Sequence, residues 1–463
     1  MDVREDDLLA LVPEGVYVDG KVQTGQAVTI RDGRIVQVGA IPDGADVLRL
    51  PNRLLVPGLV NAHSHAFQRA IRGRTESREP GRESDDFWSW RERMYHAALR
   101  LDPDDLEAVS RMAFLEMVLS GITAVGEFHY LHHPAEGGRY ADPDELALRV
   151  FHAAKTVGIR IVLLRVGYAR AGHDRPAHPR QMRFVDERVE DVIEAADRLA
   201  ARGIAVGLAP HSVRALPLPW IRAMAEHARR NGWPLHMHVS EQPREIEQCL
   251  AEHGLRPVAL LDREGLVDER FTGVHAIHLA PEEIEALGRA RANVCACPTT
   301  ERNLGDGIVP ARELFALGAT ISFGTDSQVE IAPLQDARSL EYHLRLQGLE
   351  RAVLAPEGRG EADALANRLL DAATIGGARS LGLDDAGRLA PGASADFFAV
   401  DLDDPSVCGS DPATWIPNLV FSAERTAIRD VWVAGERIVK DGSHPLQREI
   451  VDAFQRVMRR LWA

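Results

Sequence analysis

The sequence predicts an α/β fold: a (β/α)8 TIM-type barrel accompanied by a small, sandwich-like β-sheet domain formed from both chain ends. Three observations lead there. Through the middle of the chain, short apolar runs alternate with longer amphipathic stretches, the texture of parallel strands joined by helical crossovers. Hairpin signals crowd into the two ends. Histidines and carboxylates close almost every central apolar run, as expected where barrel strands deliver functional groups at their C-terminal ends.

At the N-terminal end, Val16-Tyr17-Val18 runs into Asp19-Gly20, and residues 27–30 run into Asp32-Gly33 before a further apolar run at 34–38. Asp-Gly between alternating apolar runs is a strong hairpin signal. The C-terminal region has the same texture, with apolar runs at 395–400 and 426–433, then Ala434-Gly435, 437–439 and Asp441-Gly442. Residues 445–462 read as a helix. Segments 1–57 and 385–463 are therefore expected to form one composite sheet domain around a barrel spanning 58–384. The eight barrel strands are expected at 54–62, 122–128, 160–166, 205–210, 234–239, 272–277, 293–297 and 320–323. Helical patterns such as 103–120, 186–202 and 218–231 fall between them.

A chain of 463 residues suits one large catalytic domain with a smaller companion. With 45% hydrophobic and 27% charged residues, the composition is that of a globular protein. A formal charge of −15 argues against non-specific binding to nucleic acid or to membranes, both anionic. The acidic N-terminus lacks the basic stretch and apolar core of a signal peptide, and no apolar run has the length of a membrane span. Four cysteines, Cys249, Cys295, Cys297 and Cys408, are too few and too scattered for a disulfide framework. The expectation is a cytoplasmic enzyme acting on a small molecule, and a homodimer is compatible with this type of fold.

The polar residues at the strand ends are His63-Ser64-His65, Glu127-Phe128-His129, His211, His238-Val239-Ser240-Glu241, His275 and Asp326. A single histidine at a strand end is usually a satisfied core or loop residue. Six of eight strands ending this way is a different matter. His63 and His65, two residues apart, project from one face of a strand and can reach one ion. His238 offers a third nitrogen and Asp326 an oxygen. Three histidines and an aspartate suit one divalent metal ion, Zn²⁺ foremost, with Fe²⁺ and Mn²⁺ compatible. Such a site with room for solvent generates a hydroxide nucleophile near neutral pH.

Pro57-Gly58-Leu59-Val60-Asn61-Ala62-His63-Ser64-His65 resembles the first-strand signature of the amidohydrolase superfamily, and Gly324-Thr325-Asp326-Ser327 its eighth-strand signature. The fourth-strand lysine that bridges two metals in binuclear members has no counterpart; Gly207-Leu208-Ala209-Pro210-His211 carries a histidine instead. The resemblance is thus to the mononuclear deaminase branch, whose His-x-x-Glu after strand five is matched by His238 and Glu241, and whose sixth-strand histidine is matched by His275. It implies hydrolytic attack on an sp² carbon bearing nitrogen, with a proton supplied to the leaving nitrogen. Glu241 is then expected to shuttle protons, Asp326 to bind metal and accept the proton of water, and His275 to orient the attacking water. His278 competes with His275 for that role, but an offset of three on a strand sets the two on opposite faces.

Two further stretches, His65-Ala66-Phe67-Gln68-Arg69-Ala70 and 87–95 (Phe-Trp-Ser-Trp-Arg-Glu-Arg-Met-Tyr), resemble the formimidoylglutamate deiminases of histidine degradation. So do Glu127-Phe128-His129-Tyr130-Leu131-His132-His133 and Ala209-Pro210-His211-Ser212-Val213-Arg214. That family converts N-formimino-L-glutamate to N-formyl-L-glutamate and ammonia. A substrate with two carboxylates needs cationic forks, which arginine supplies bidentately. The resemblance implies Arg91 and Arg214 for that role, Tyr130 as a hydroxyl donor, and Gln68 and His211 near the formimino group. Read from composition alone, Arg91 is a surface helix arginine. His132 and His133 read as loop residues and His129 as lying at the pocket edge. Cys295 and Cys297 read as packing residues. Trp88 and Trp90 either line the entrance or anchor a loop.

Three other readings stay open on sequence alone. A purine-type deaminase needs an aromatic slot for a planar base, whereas this chain offers arginines. Imidazolonepropionase handles a carboxylate substrate without releasing ammonia. A non-catalytic barrel scaffold is expected to have lost ligands that this chain keeps.

Overall fold

Apolar runs without polar alternation must be buried on both faces, and in the computed structural model they form the parallel strands of a barrel. Residues 8–77, 87–173, 175–358 and 362–463 are described, with Trp88 by its backbone alone. The first seven residues and the Trp88 side chain, both considered above, lie outside the described residues.

The barrel strands are β1 (Leu59–Ser64), β2 (Ile122–His129), β3 (Arg160–Gly167), β4 (Val206–Pro210), β5 (Leu235–Val239), β6 (Phe271–His275), β7 (Asn293–Ala296) and β8 (Thr320–Phe323), paired in that order. Beyond β8 the chain returns to β1 through a parallel bridge between Ser64 and Asp326. There the Asp326 N–H donates to the His63 carbonyl and the His65 N–H to the Asp326 carbonyl, both at 3.0 Å. Asn61 adds a side-chain clamp, accepting from the Thr325 N–H at 3.0 Å and donating to the Thr325 hydroxyl at 2.7 Å.

Two strand expectations change. The run at 54–62 is two strands: Asp46–Pro57 belongs to the small sheet, and the barrel strand starts at Leu59. Proline cannot donate to a ladder, and a Cβ on Gly58 would fall 2.1 Å from the Thr123 hydroxyl, so Pro57-Gly58 is where the chain changes sheets. The sixth strand stops at His275 rather than 277, because His275 and Ala276 adopt φ of 69° and 50°. His278 is consequently past the strand, its Nε2 3.0 Å from the Asp306 carbonyl, and the face-parity argument does not apply to it.

The second sheet joins the chain ends. Its order runs Glu436–Val439, Ile428–Val433, Phe397–Asp401, Asp46–Pro57, Leu9–Val18, Ala27–Arg31, Arg34–Gly39, with Lys21–Thr24 paired to Leu9–Val18. The Asp-Gly turns explain its hairpins. Asp19 and Gly20 have φ of 48° and 79°, and Asp32 and Gly33 50° and 73°, the paired left-handed geometry of a tight two-residue loop. Arg160 of β3 ties this sheet to the barrel, donating to Asp385 at 2.7 Å and also to Asp396. The C-terminal helix Gln447–Leu461 lies on the barrel helix Pro103–Leu119, with Arg111 2.7 Å from Glu449, and Trp462 Nε1 donates to the Ala70 carbonyl at 3.1 Å. Among the described residues no helix is long and apolar enough to cross a membrane.

Candidate active site

The strand ends converge on one cleft. At its floor, the Nε2 atoms of His65 and His238 each lie 3.1 Å from that of His63, and Asp326 Oδ1 is 3.3 Å from His63 Nε2 and 3.2 Å from His65 Nε2. Nδ1 of His65 is 3.1 Å from the Phe128 carbonyl and Nδ1 of His238 is 3.2 Å from the His211 carbonyl. A carbonyl can only accept, so these contacts put the ring protons on Nδ1 and leave both Nε2 lone pairs bare. Burial lowers the pKa of His63 to about 3 and that of His238 well below the usual value, so both rings are neutral. Bare nitrogens and a carboxylate about 3 Å apart repel one another unless a cation lies between them. Tetrahedral metal–ligand bonds of about 2.0–2.1 Å set ligand edges of about 3.3 Å. The residues fit one divalent metal ion.

Beside this cluster stand Glu241 and His275. His275 Nε2 lies 3.7 Å from Glu241 Oε1 and 3.9 Å from Asp326 Oδ2, so Asp326 turns one oxygen to the cluster and the other towards His275. Burial raises the Glu241 carboxyl pKa. Burial opposes protonation of His275, but the carboxylates of Glu241, Glu301 and Asp326 outweigh it and hold its pKa well above the usual value. Three of these strand-end residues, Ser240, His275 and Asp326, sit at φ of 53°, 69° and 46°. Left-handed backbone is costly for such residues and is concentrated where function requires a side chain to be re-aimed. Backbone bonds retain it: Ala276 N–H donates to Val239, and Ile277 and His278 both donate to Ser240.

The outer part of the cleft is lined by Gln68, Arg91, Tyr130, His211 and Arg214. Gln68 donates to the Tyr130 hydroxyl at 2.8 Å, while its Oε1, on a side chain 2% exposed, has no partner among the described residues. His211 is kept neutral by burial, reinforced by the Arg214 charge. Arg91 comes from the helix Phe87–Ala98 and lies with Cζ 5.6 Å above the Tyr95 ring. The candidate proton-handling groups and substrate contacts and three of the candidate ligands thus surround one space, with His63 directly beneath it, its Nε2 against those of His65 and His238.

His129 is not at the edge of this cleft. Strand alternation points Phe128 inward, its ring 4.4 Å from that of His238, and turns Glu127 and His129 to the helix layer. There Glu127 accepts from Ser64 at 2.6 Å and from the Ala66 N–H at 2.7 Å, bracing the turn that carries His65. His132 is buried, with Nε2 3.0 Å from the Val166 carbonyl. Cys295 and Cys297 are buried against Ala62 and Val274. Trp90 lines the cleft.

Several residues carried no recognisable signal in the sequence. Glu301, in the helix Pro298–Leu304, lies 3.3 Å from His275 Nδ1 and accepts from the Cys297 N–H at 2.8 Å. A carboxylate five residues beyond the end of β7 is a faint pointer to it. Tyr95, Tyr168 and Phe184 also line the cleft, and nothing in their spacing indicates it.

Residues 54–438 match the family model described as the amidohydrolase family. The chain is 38% identical over 459 residues to formimidoylglutamate deiminase of Pseudomonas aeruginosa, covering 98% of each. It is 32% identical over 449 residues to 8-oxoguanine deaminase of the same species, covering 93% of each. A crystal structure of an amidohydrolase from Brucella melitensis superimposes with a TM-score of 0.90 at 35% identity, covering 99% of this chain and 100% of that one. Barrel, strand-end ligands and these likenesses agree: the chain belongs to the amidohydrolase family.

Proposed function

We propose that this protein hydrolyses N-formimino-L-glutamate to N-formyl-L-glutamate and ammonia, the deimination step of histidine degradation. The observation that carries the reading is one cleft that joins a three-histidine, one-aspartate cluster to two arginines, Arg91 and Arg214. The 38% identity to a formimidoylglutamate deiminase supports it. In the balanced reaction, the oxygen of water becomes the formyl oxygen, the bond from carbon to the terminal imino nitrogen breaks, and that nitrogen leaves as ammonia.

His63, His65, His238 and Asp326 would hold a single divalent metal, Zn²⁺ by the character of its donors. When bound, it supplies a water acidified enough to act as nucleophile near neutral pH. The protein's own groups do the rest. Asp326 Oδ2 takes a proton from the attacking water and His275 orients that water. Glu241 pairs with the cationic amidine and passes a proton to the departing nitrogen; a buried carboxyl with a raised pKa is suited to carry it. The unpartnered Gln68 Oε1 accepts an N–H of the formimino group, with the neutral His211 beside it. Arg91 and Arg214 take the carboxylates, with Tyr130 as a further donor.

The same reading assigns residues 58–384 to the metal-dependent barrel domain and 1–57 with 385–463 to the small composite sheet domain, in a cytoplasmic protein whose fold is compatible with a homodimer. One observation favours a second reading. Six aromatic side chains, Phe87, Trp90, Tyr95, Tyr130, Tyr168 and Phe184, line the cleft, as a planar purine would require, and one relative is an 8-oxoguanine deaminase. Ammonia release by zinc-loaded protein separates the two, using N-formimino-L-glutamate beside 8-oxoguanine, guanine and adenosine. Release from the formimino substrate alone is expected. Release from a purine alone would transfer the assignment to that class.

A further inference from the structure

The outer wall of the cleft contains a hydrogen-bond arrangement whose direction can be read. Gln181, 1% exposed, closes the short turn Pro179–Gln181. Its Oε1 accepts the His178 N–H at 2.8 Å, which fixes the amide's orientation. Its Nε2 therefore faces two tyrosines, donating to the Tyr95 hydroxyl at 2.9 Å and the Tyr168 hydroxyl at 2.8 Å. A hydroxyl has one proton to give. Because each tyrosine accepts from Gln181, each keeps its own proton, and neither donates to any described residue. Tyr130 stands next to this pair, its hydroxyl 2.8 Å from the Gln68 amide and 3.9 Å from the Met94 thioether.

Tyr95, Tyr168 and Tyr130 line the same cleft as Arg91 and Arg214. Arginines have no acceptor, and the Tyr95 and Tyr168 hydroxyls already accept from Gln181, so the stretch of wall made by these two tyrosines and the arginines presents hydrogens, with the acceptor Gln68 Oε1 lying apart beside Tyr130. A ligand group placed there must accept without donating and gains from being negative. A carboxylate meets both demands, whereas a purine N–H turned towards the Tyr95 and Tyr168 hydroxyls would meet donors.

We propose that the Tyr95 and Tyr168 hydroxyls, aimed by Gln181, are the donor pair for a substrate carboxylate, and that Gln181 is a positioning residue setting the direction of that pair. The inference rests on the dicarboxylate reading of the cleft. It adds two specificity-determining hydroxyls and the amide that polarises them.

The test is calorimetric binding of N-formyl-L-glutamate to zinc-loaded protein, which needs no turnover, together with steady-state kinetics on N-formimino-L-glutamate. Tyr95→Phe/Tyr168→Phe keeps both rings and removes both protons. We expect its affinity to fall about tenfold or more, as for loss of hydrogen bonds to a charged group, with KM rising more than kcat falls. Gln181→Glu puts an acceptor where the donor stood and draws both protons away from the cleft, whereas Gln181→Met removes only the constraint. The expected order of affinity is wild type, then Met, then Glu, a ranking that a purely packing role would not produce. Melting temperature and zinc content are followed in every variant. Unchanged affinity in the double phenylalanine variant, or a Gln181→Glu variant that binds like wild type, overturns the inference while leaving the deiminase reading intact. A wild-type protein that neither binds N-formyl-L-glutamate nor releases ammonia from the formimino substrate overturns both.

Discussion

The two ends of the cleft are built differently. The metal end is carried on strand termini: His63 and His65 on and just beyond β1, His238 on β5, His275 on β6 and Asp326 just past β8, each fixed by ladder or bridge hydrogen bonds to its neighbour. The outer end is carried on connecting segments: Arg91 on the helix Phe87–Ala98, Arg214 beyond β4, and Gln181 in a three-residue turn. Chemistry needs ligand atoms placed to within fractions of an ångström, which the barrel provides. Substrate selection needs side chains that can change without disturbing that frame, which loops provide. On the proposed assignment, the reaction and the substrate are set by separable sets of residues.

That separation can be broken at the metal end first. His238→Ala is expected to abolish activity to the limit of detection together with metal binding, both read by metal analysis and ammonia release. Glu241→Gln removes the proton carrier but no ligand, so kcat should fall by about 10²–10⁴ with metal content retained. Full activity in that variant would remove Glu241 from the mechanism. Glu301→Ala leaves His275 in place but frees its Nδ1, and a loss of about 10–100-fold in kcat is expected, with partial recovery in Glu301→Gln.

At the outer end the effect should move to KM. Arg214→Met is expected to lower kcat/KM by about 10–100-fold, mostly through KM and with metal content unchanged. Equal damage to kcat would mean that the two ends are not separable.

The smallest effect concerns stability. Burial raises the Glu245 pKa from 4.5 to about 7, with the nearby Arg214 charge opposing. Between those values the folded protein holds a proton that the unfolded chain releases. The carboxyl's contribution to stability therefore declines as pH rises through that window and stays low above it. Relative to wild type, Glu245→Gln should gain stability between pH 5 and pH 8, by at most about 3 kcal/mol, measured by thermal melts. No relative change with pH would show that Glu245 is ionised across the range.

By itself, the sequence determined the barrel and the composite sheet, and it singled out the three histidines and the aspartate that the structure gathers at one end of the cleft. Short apolar runs alternating with amphipathic stretches point to doubly buried parallel strands, an Asp-Gly pair between apolar runs favours a hairpin, and His63 and His65 two residues apart on a strand share a face. These are local constraints with a period or a turn geometry behind them. The tertiary structure decided what depends on approach between distant segments. Only the left-handed backbone at His275 and Asp326, held by bonds to neighbouring strands, aims those side chains at His63 and Glu241. Glu301 meets His275 across 26 positions, and Gln181 meets Tyr95 across 86, with no periodicity to announce either. His129 was misplaced for the same reason: a strand end shows which residues lie there, but its alternation is read only once one side chain, here Phe128, is known to face the barrel's interior. Pairing within a strand or turn is written in spacing, whereas pairing between loops depends on how the whole barrel closes.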